Sequence, residues 1–301
     1  MPHAPRLLAR LPLLAGLMAL GVVAACGGGS ATAADAGTAT GSSGGNSGST
    51  ASTGPLQLPT GYRLVWADEF DTDGLPDAGK WAYDTGMNKQ GWHNRELQYY
   101  SGPRAENAVV SGGKLVITAR KEARSDQSDW GGQAYSSTRL ITLGKKDWTY
   151  GFFEVRAKLP CGRGTWPAIW MLNSAGVWPA GGELDIMEQV GSNPTNVFST
   201  VHTTSGSGGN GSGNHITVND ACSAFHNYQM LWTPTEVRFG MDGQTHHVYR
   251  NQGAGSAQWP FDKPQFLILN IAIGGDLGGP VDDSIFPVRM EVEHVRVYQA
   301  P

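Results

Sequence analysis

Pro179-Ala-Gly-Gly-Glu-Leu-Asp-Ile-Met-Glu-Gln-Val-Gly191 carries three carboxylates, Glu183, Asp185 and Glu188, with Leu184, Ile186 and Met187 between them. Charged and apolar residues spaced this way read as a strand with one wet face and one core face. Glu183 and Asp185 are two apart and share a face. Glu188 is five from Glu183, so a regular strand would aim it into the core, where an unpaired carboxylate is expensive. One extra residue at Ile186-Met187, a β-bulge, returns Glu188 to the wet face. The outer two acids then have backbones about 13 Å apart at ~3.3 Å per residue. On the concave side of a bent sheet their long side chains lean together. Retaining cleavage of a glycosidic bond needs two carboxyls roughly 5–5.5 Å apart.

Three like charges in one place cannot all be ionised cheaply, so at least one pKa must rise. A carboxyl raised in this way holds a proton near neutral pH and can donate it to a leaving oxygen, while an ionised neighbour attacks. Asp185, between them, would hydrogen-bond the attacking group and tune both. Two other readings compete: a solvated strand with scattered acids, and a hard-cation site. A calcium loop is usually flanked by Asn, Asp and Gly rather than by Leu, Ile and Met, which weighs against the cation.

Around this segment, residues 56–301 read as one all-β domain. Period-two alternation marks strands over 113–120, 150–159, 237–242 and 290–298. In the last of these, Val292, His294, Arg296 and Tyr298 are expected on one face, and Glu293, Val295 and Val297 on the other. Asp242-Gly243 is a hairpin turn between two such runs. Long amphipathic helices are absent from the pattern, and many closely spaced strands imply a sandwich or barrel.

The N-terminus differs in kind. Residues 1–25 read as a signal peptide: Arg6 and Arg10 form the charged region, and the apolar run from Leu11 to Ala25 is too short to span a bilayer. Val23-Ala24-Ala25-Cys26 is similar to the bacterial lipobox, which implies lipidation of Cys26; cleavage at an ordinary Ala-x-Ala-like site is the alternative. Residues 26–55 are nearly all Gly, Ser, Ala and Thr, a linker with nothing to bury. The expected location is therefore the bacterial cell envelope, exported and lipid-anchored at Cys26, or else full secretion. The anchor is the expected membrane contact.

Charge narrows the partners. The net charge is −4 and no basic run occurs, which argues against nucleic acid. Ten tryptophans and nine tyrosines supply the flat faces on which sugar rings stack, though Trp is also ordinary core filler. Beyond Cys26 only Cys161 and Cys222 remain, and outside the cytoplasm such a pair favours a disulfide over two buried thiols. A monomer is the default expectation.

The acidic segment resembles the Glu-x-Asp-x-x-Glu signature of glycoside hydrolase family 16 in its bulged, laminarinase-like form. The resemblance covers roughly residues 60–299. Trp66-Ala-Asp-Glu-Phe-Asp71 looks like the family's opening strand, and Asn94-Arg-Glu-Leu-Gln-Tyr-Tyr100 its substrate-loop element. Gly164-Thr-Trp-Pro-Ala-Ile-Trp-Met-Leu172, Leu269-Asn-Ile-Ala-Ile-Gly-Gly275 and Val295-Arg-Val-Tyr298 follow in the family's order. The resemblance implies a β-jelly-roll sandwich of concanavalin A-like type, with a concave cleft. It implies endo-acting, retaining double displacement on β-1,3-glucan, with Glu183 as nucleophile, Glu188 as acid/base and Asp185 as assistant. Trp166, Trp170 and Trp178 match aromatics that stack on or border sugars, and His202 matches a cleft histidine. Asn94, Arg139 and Asn270 match polar sugar contacts. No cofactor is implied for catalysis. A structural calcium held by Glu69 and Glu293 is a further expectation, although Glu293 stands where relatives often have Asp. The chain also reads Gly275-Asp-Leu-Gly where many relatives carry a Trp. Mixed-linkage β-1,3-1,4-glucan, agar or carrageenan as substrate, transglycosylation, and a non-enzymatic β-glucan-binding role stay open at this point. Few clustered cations argue against the sulfated polymer, and the two glutamates argue against a binder.

Overall fold

The computed structural model describes residues 54–301. The leader 1–25, Cys26 and all but the last two residues of the 26–55 linker lie outside the described residues. The described chain is packed from its start: Leu56 is buried, and its amide donates to Gly243 O at 2.7 Å.

Strands are numbered here in chain order. One sheet runs β15 (Gln244–Arg250), β14 (Glu236–Met241), β13 (His226–Trp232), β8 (Gly151–Lys158), β17 (Val288–Gln299), β5 (Leu115–Ala119) and β4 (Ala108–Val110); β1 (Arg63–Asp68) pairs with the later half of β17. The other runs β12 (Ser212–Thr217), β11 (Asn196–His202), β10 (Glu183–Gln189), β9 (Thr165–Asn173), β16 (Gln265–Ile273), β7 (Arg139–Ile141) and β2 (Ala82–Tyr83). Neighbours within both sheets are antiparallel, and a separate parallel pair joins β3 (Gln98–Tyr100) to β6 (Tyr135–Ser137). Among the described residues no helix is long and apolar enough to cross a membrane.

The sheets are pressed together by the inner halves of these alternating strands. Leu184, Ile186 and Met187 on β10, Ile169 and Met171 on β9, and Leu267, Leu269 and Ile271 on β16 share one core with Phe153, Met230, Trp232, Phe239 and Val295 from the opposite sheet. Each such side chain contributes about 1.5–3 kcal/mol when removed from water. The core thus fixes which face of β10 is left for the carboxylates. Asp242 and Gly243 both take positive φ, 48° and 79°, closing the expected hairpin between β14 and β15.

The final strand departs from strict alternation. Its core face holds Val288, Met290 and Val292, then Val295 and Val297. The register on β8 slips between Val292 and His294. The extra residue lets Val292 and Val295 point the same way, which a period of two forbids. The expected grouping of Val292 with His294 and Arg296 is therefore corrected.

Cys161 and Cys222 form a disulfide with a Cα–Cα distance of 5.7 Å and a sequence separation of 61. Strands β9 to β12 all lie between the two cysteines, so the bridge closes the loop that bears the acidic strand. If loop entropy alone acts, a closure of this length contributes about 4 kcal/mol. Replacing both cysteines by alanine is expected to lower the unfolding free energy by up to that amount in denaturant titrations.

Candidate active site

β10 carries the expected bulge. Asp185 pairs with Thr200 and Glu188 with Phe198, so three steps on β10 match two on β11. On the other side Asp185 pairs with Trp170 and Met187 with Ile169. Ile186 is the residue without a register partner, and both Ile186 and Met187 face the core. Glu183, Asp185 and Glu188 thereby share the outer face with their neighbours in register, His202, Trp170 and Ala168.

Each acid has a designated neighbour. The Trp166 indole donates to Glu188 Oε1 at 2.8 Å. The Trp178 indole donates to Glu183 Oε2. His202 Nε2 lies 3.2 Å from Asp185 Oδ2. Glu188 is 8% exposed and Asp185 2%. Burial pushes Glu188 up to about 7, with Glu183 adding to the rise and the Trp166 hydrogen bond opposing it. Burial first, and the charge of Asp185 next, hold Glu183 well above the usual carboxylate range. Burial and the charge of Glu188 do the same to Asp185. The group therefore retains protons at neutral pH.

Ligand atoms of Glu183, Asp185 and His202 lie within 4.8 Å of one another. The expected calcium pair does not fit as placed. Both oxygens of Glu69 accept from Arg296 at 2.8 Å, and Glu293 accepts from Arg156 at 2.6 Å. Each carboxylate is already neutralised by a guanidinium, which leaves no convergent hard-oxygen set.

The tryptophans divide by exposure. Trp178 is 51% exposed, a free flat face beside Glu183, its ring 6.4 Å from that of His202. Trp166 is buried, with its nitrogen committed to Glu188. Trp170 donates to Asn270 Oδ1 at 2.7 Å, and Asn270 Nδ2 donates to Tyr100 Oη at 3.0 Å. The Arg139 guanidinium lies 4.7 Å from the Trp170 ring and 5.2 Å from the Trp92 ring, and pairs with Asp84 at 3.1 Å. Arg139 and Asn270 thus lie side by side against Trp170, Asn270 by a hydrogen bond and Arg139 by stacking. Asn94 is exposed, at φ 56°, on the rim. At the late Gly-Gly, Gly275–Gly278 form one helical turn, and Asp276 Oδ1 accepts from Arg95 Nε at 2.6 Å.

Glu96 was overlooked in the sequence. It accepts from Gln98 Nε2 at 2.8 Å, burial raises its pKa, and its charge helps raise Glu188. Gln98 in turn accepts from Ile273 N at 2.7 Å, which ties this loop to β16. Its sequence signal is an acid between Arg95 and Leu97 in a segment rich in aromatics.

Comparison with known proteins gives a consistent result. The family model described as glycosyl hydrolases family 16 matches residues 95–284. A β-glucanase of Rhodothermus marinus is 48% identical over 252 residues, 79% of this chain and 85% of the relative. The crystal structure of SCLam, a non-specific endo-β-1,3(4)-glucanase of the same family, superposes with a TM-score of 0.80 at 51% identity, covering 82% of this chain and 94% of that one. The laminarinase structure from Rhodothermus marinus gives a TM-score of 0.75 at 47% identity, covering 79% and 97%.

A carboxyl whose pKa is higher folded than unfolded contributes fully below the unfolded value and loses that contribution as pH rises through the folded one. For Glu188 this window runs from 4.5 to about 7. Glu188→Gln is therefore expected to raise the melting temperature relative to the parent at pH 8, by up to about 3 kcal/mol of stability, and to change it little at pH 4. Equal effects at both pH values would contradict the assignment.

Proposed function

The chain belongs to glycosyl hydrolase family 16, and from that premise we propose that it is an endo-acting, retaining β-1,3-glucanase of laminarin type. The observation that carries the mechanism is the placing of Glu183 and Glu188 on one face of β10, with burial pushing Glu188 up to about 7. With substrate bound, an ionised Glu183 attacks the anomeric carbon while Glu188 gives its proton to the leaving oxygen. The C–O bond breaks as the bond to Glu183 forms. Water then attacks the same carbon, Glu188 takes its proton, and Glu183 is released. The Trp178 indole donates to the Glu183 carboxylate, which favours its charged form. Trp178 offers the free aromatic face for a sugar ring. Relatives named for β-1,3 and for β-1,3(4) linkages support a β-glucan substrate, with β-1,3 preferred. Export by the 1–25 leader, with anchoring at Cys26, belongs to the same proposal, since an envelope enzyme meets polysaccharide outside the cell.

Reducing-sugar release from laminarin, curdlan, lichenan, agarose and carrageenan, with product sizes, tests the substrate. Oligosaccharides from laminarin and curdlan are the expected outcome; activity confined to agarose or carrageenan would refute it. Glu183→Gln is expected to lose at least 10³-fold in kcat, a triad-like loss for a removed nucleophile. Proton NMR of early products should show the β-anomer first.

Trp166→Phe removes a donor that favours ionised Glu188. It should move the alkaline limb of kcat/KM, expected near pH 7 in the parent, to higher pH. An unmoved limb would separate Glu188 from the role of acid.

A further inference from the structure

The bulge in β10 leaves a buried carbonyl to be satisfied. Ile186 has no register partner on β9 or β11, and a buried C=O outside the ladder needs another donor. Ser199 supplies it from β11, with Oγ 2.8 Å from Ile186 O. Ser199 is fully buried and points inward with Val197 and Val201, away from the cleft. Its single hydroxyl proton goes to the carbonyl. Its second neighbour, His246 Nε2 at 2.8 Å, must therefore donate to it.

His246 comes from the opposite sheet, and it too is an extra residue. Phe239 pairs with His247 and Gly240 with Thr245, which leaves His246 unpaired on β15. Asn214 on β12 donates to His246 O at 2.8 Å, as Ser199 does to Ile186 O. Burial, then the charges of His247 and His215, push the His246 pKa down to about 4. The ring is neutral, with its proton on Nε2. Two bulges, one in each sheet, thus face each other and are joined by the chain His246 to Ser199 to Ile186.

We propose that Ser199 and His246 are positioning residues for the acid Glu188. They hold the extra residue of β10 at Ile186, and so fix the direction in which Glu188 leaves the strand relative to Glu183 and Asp185. A slip of the extra residue along β10 would change which side chains face the cleft, and the hydroxyl locks one choice. Neither residue touches the cleft. This inference rests on the proposed roles of Glu183 and Glu188.

The test compares Ser199→Ala, Ser199→Thr, His246→Leu and the Ser199→Ala/His246→Leu double variant, each well below its melting temperature. On laminarin, Ser199→Ala and His246→Leu should each lose at least tenfold in kcat with KM changed less than twofold. Ser199→Thr, which keeps the hydroxyl, should recover most of the rate. The double variant should lose little more than the worse single, because both act through one chain. Folded variants with kcat within twofold of the parent, or fully additive losses, would overturn the proposal. Should Ser199→Ala not fold, His246→Leu, which is only partly buried, carries the test. If the parent cleaves another polymer and not laminarin, the substrate reading fails and the same ratios are measured on that polymer. A readout without substrate separates the two ideas further. The pH at which Glu188 titrates among Glu183, Asp185, Glu96 and His202 is read from the pH dependence of thermal stability. It should move in Ser199→Ala and His246→Leu, and an unchanged value in both would also overturn the positioning role.

Discussion

The carboxyl of Glu188 sits beside the Trp166 indole, in a place too dry for a free charge and too close to Glu183 for a second one. Desolvation favours the neutral acid, the neighbouring carboxylate favours it again, and one indole hydrogen bond pulls the other way. The result is a proton held near neutral pH on the wet face of a central strand. That outcome depends on backbone geometry before it depends on electrostatics. Without the extra residue at Ile186, Glu188 would point into the shared apolar core, where an unpaired carboxylate is costly.

A strand burdened with three acids cannot stabilise itself, so its neighbours must. β10 lies inside its sheet, with β9 and β11 bonded on either side, and its inner residues are locked into the common core. The Cys161–Cys222 bridge closes the loop from which these strands come. Gly191, one turn beyond the strand, is held by the same crowding: a Cβ there would stand 1.9 Å from Gly162 O. Rigid scaffold surrounds the carboxylates, and the flat exposed surface of Trp178 is brought by the connection just before β10. The division suits a retaining hydrolase, in which two carboxyls must keep their spacing through both displacement steps.

Much of this was legible in the sequence because it followed from local rules. Glu188 five positions from Glu183 forced a bulge, since the alternative was a buried unpaired charge. Asp242-Gly243 forced a hairpin because two positive φ angles were needed. What escaped was decided by contacts between distant segments. The bulge near Glu293 in β17 carries no sequence mark, because Val292 and Val295 fit either phase until β8 lies beside them. Arg139 and Asn270 look like free polar groups in a linear chain; only the fold reveals that Trp170, Asp84 and Tyr100 occupy them. Glu69 and Glu293 look like cation ligands until Arg296 and Arg156 are placed against them. Glu96 becomes a neighbour of Glu188 only when the loop before β3 folds over the sheet.

The occupied floor has a consequence for recognition. Trp170 and Asn270 hydrogen-bond each other and the Arg139 guanidinium stacks on Trp170, which gives the floor of the cleft shape and rigidity. Trp178, Asn94 and the turn at Gly275–Gly278 stand on the connections around that floor, with Trp178 and Asn94 exposed. These lie on connections, where length and residue type change at little cost to the core. The acidic strand and its bulge set what bond chemistry the cleft performs, while the rim sets which polymer reaches it. This separation is the physical reason that one strand motif can serve several polysaccharides within a family, and why the linkage preference of this chain rests on its loops rather than on β10.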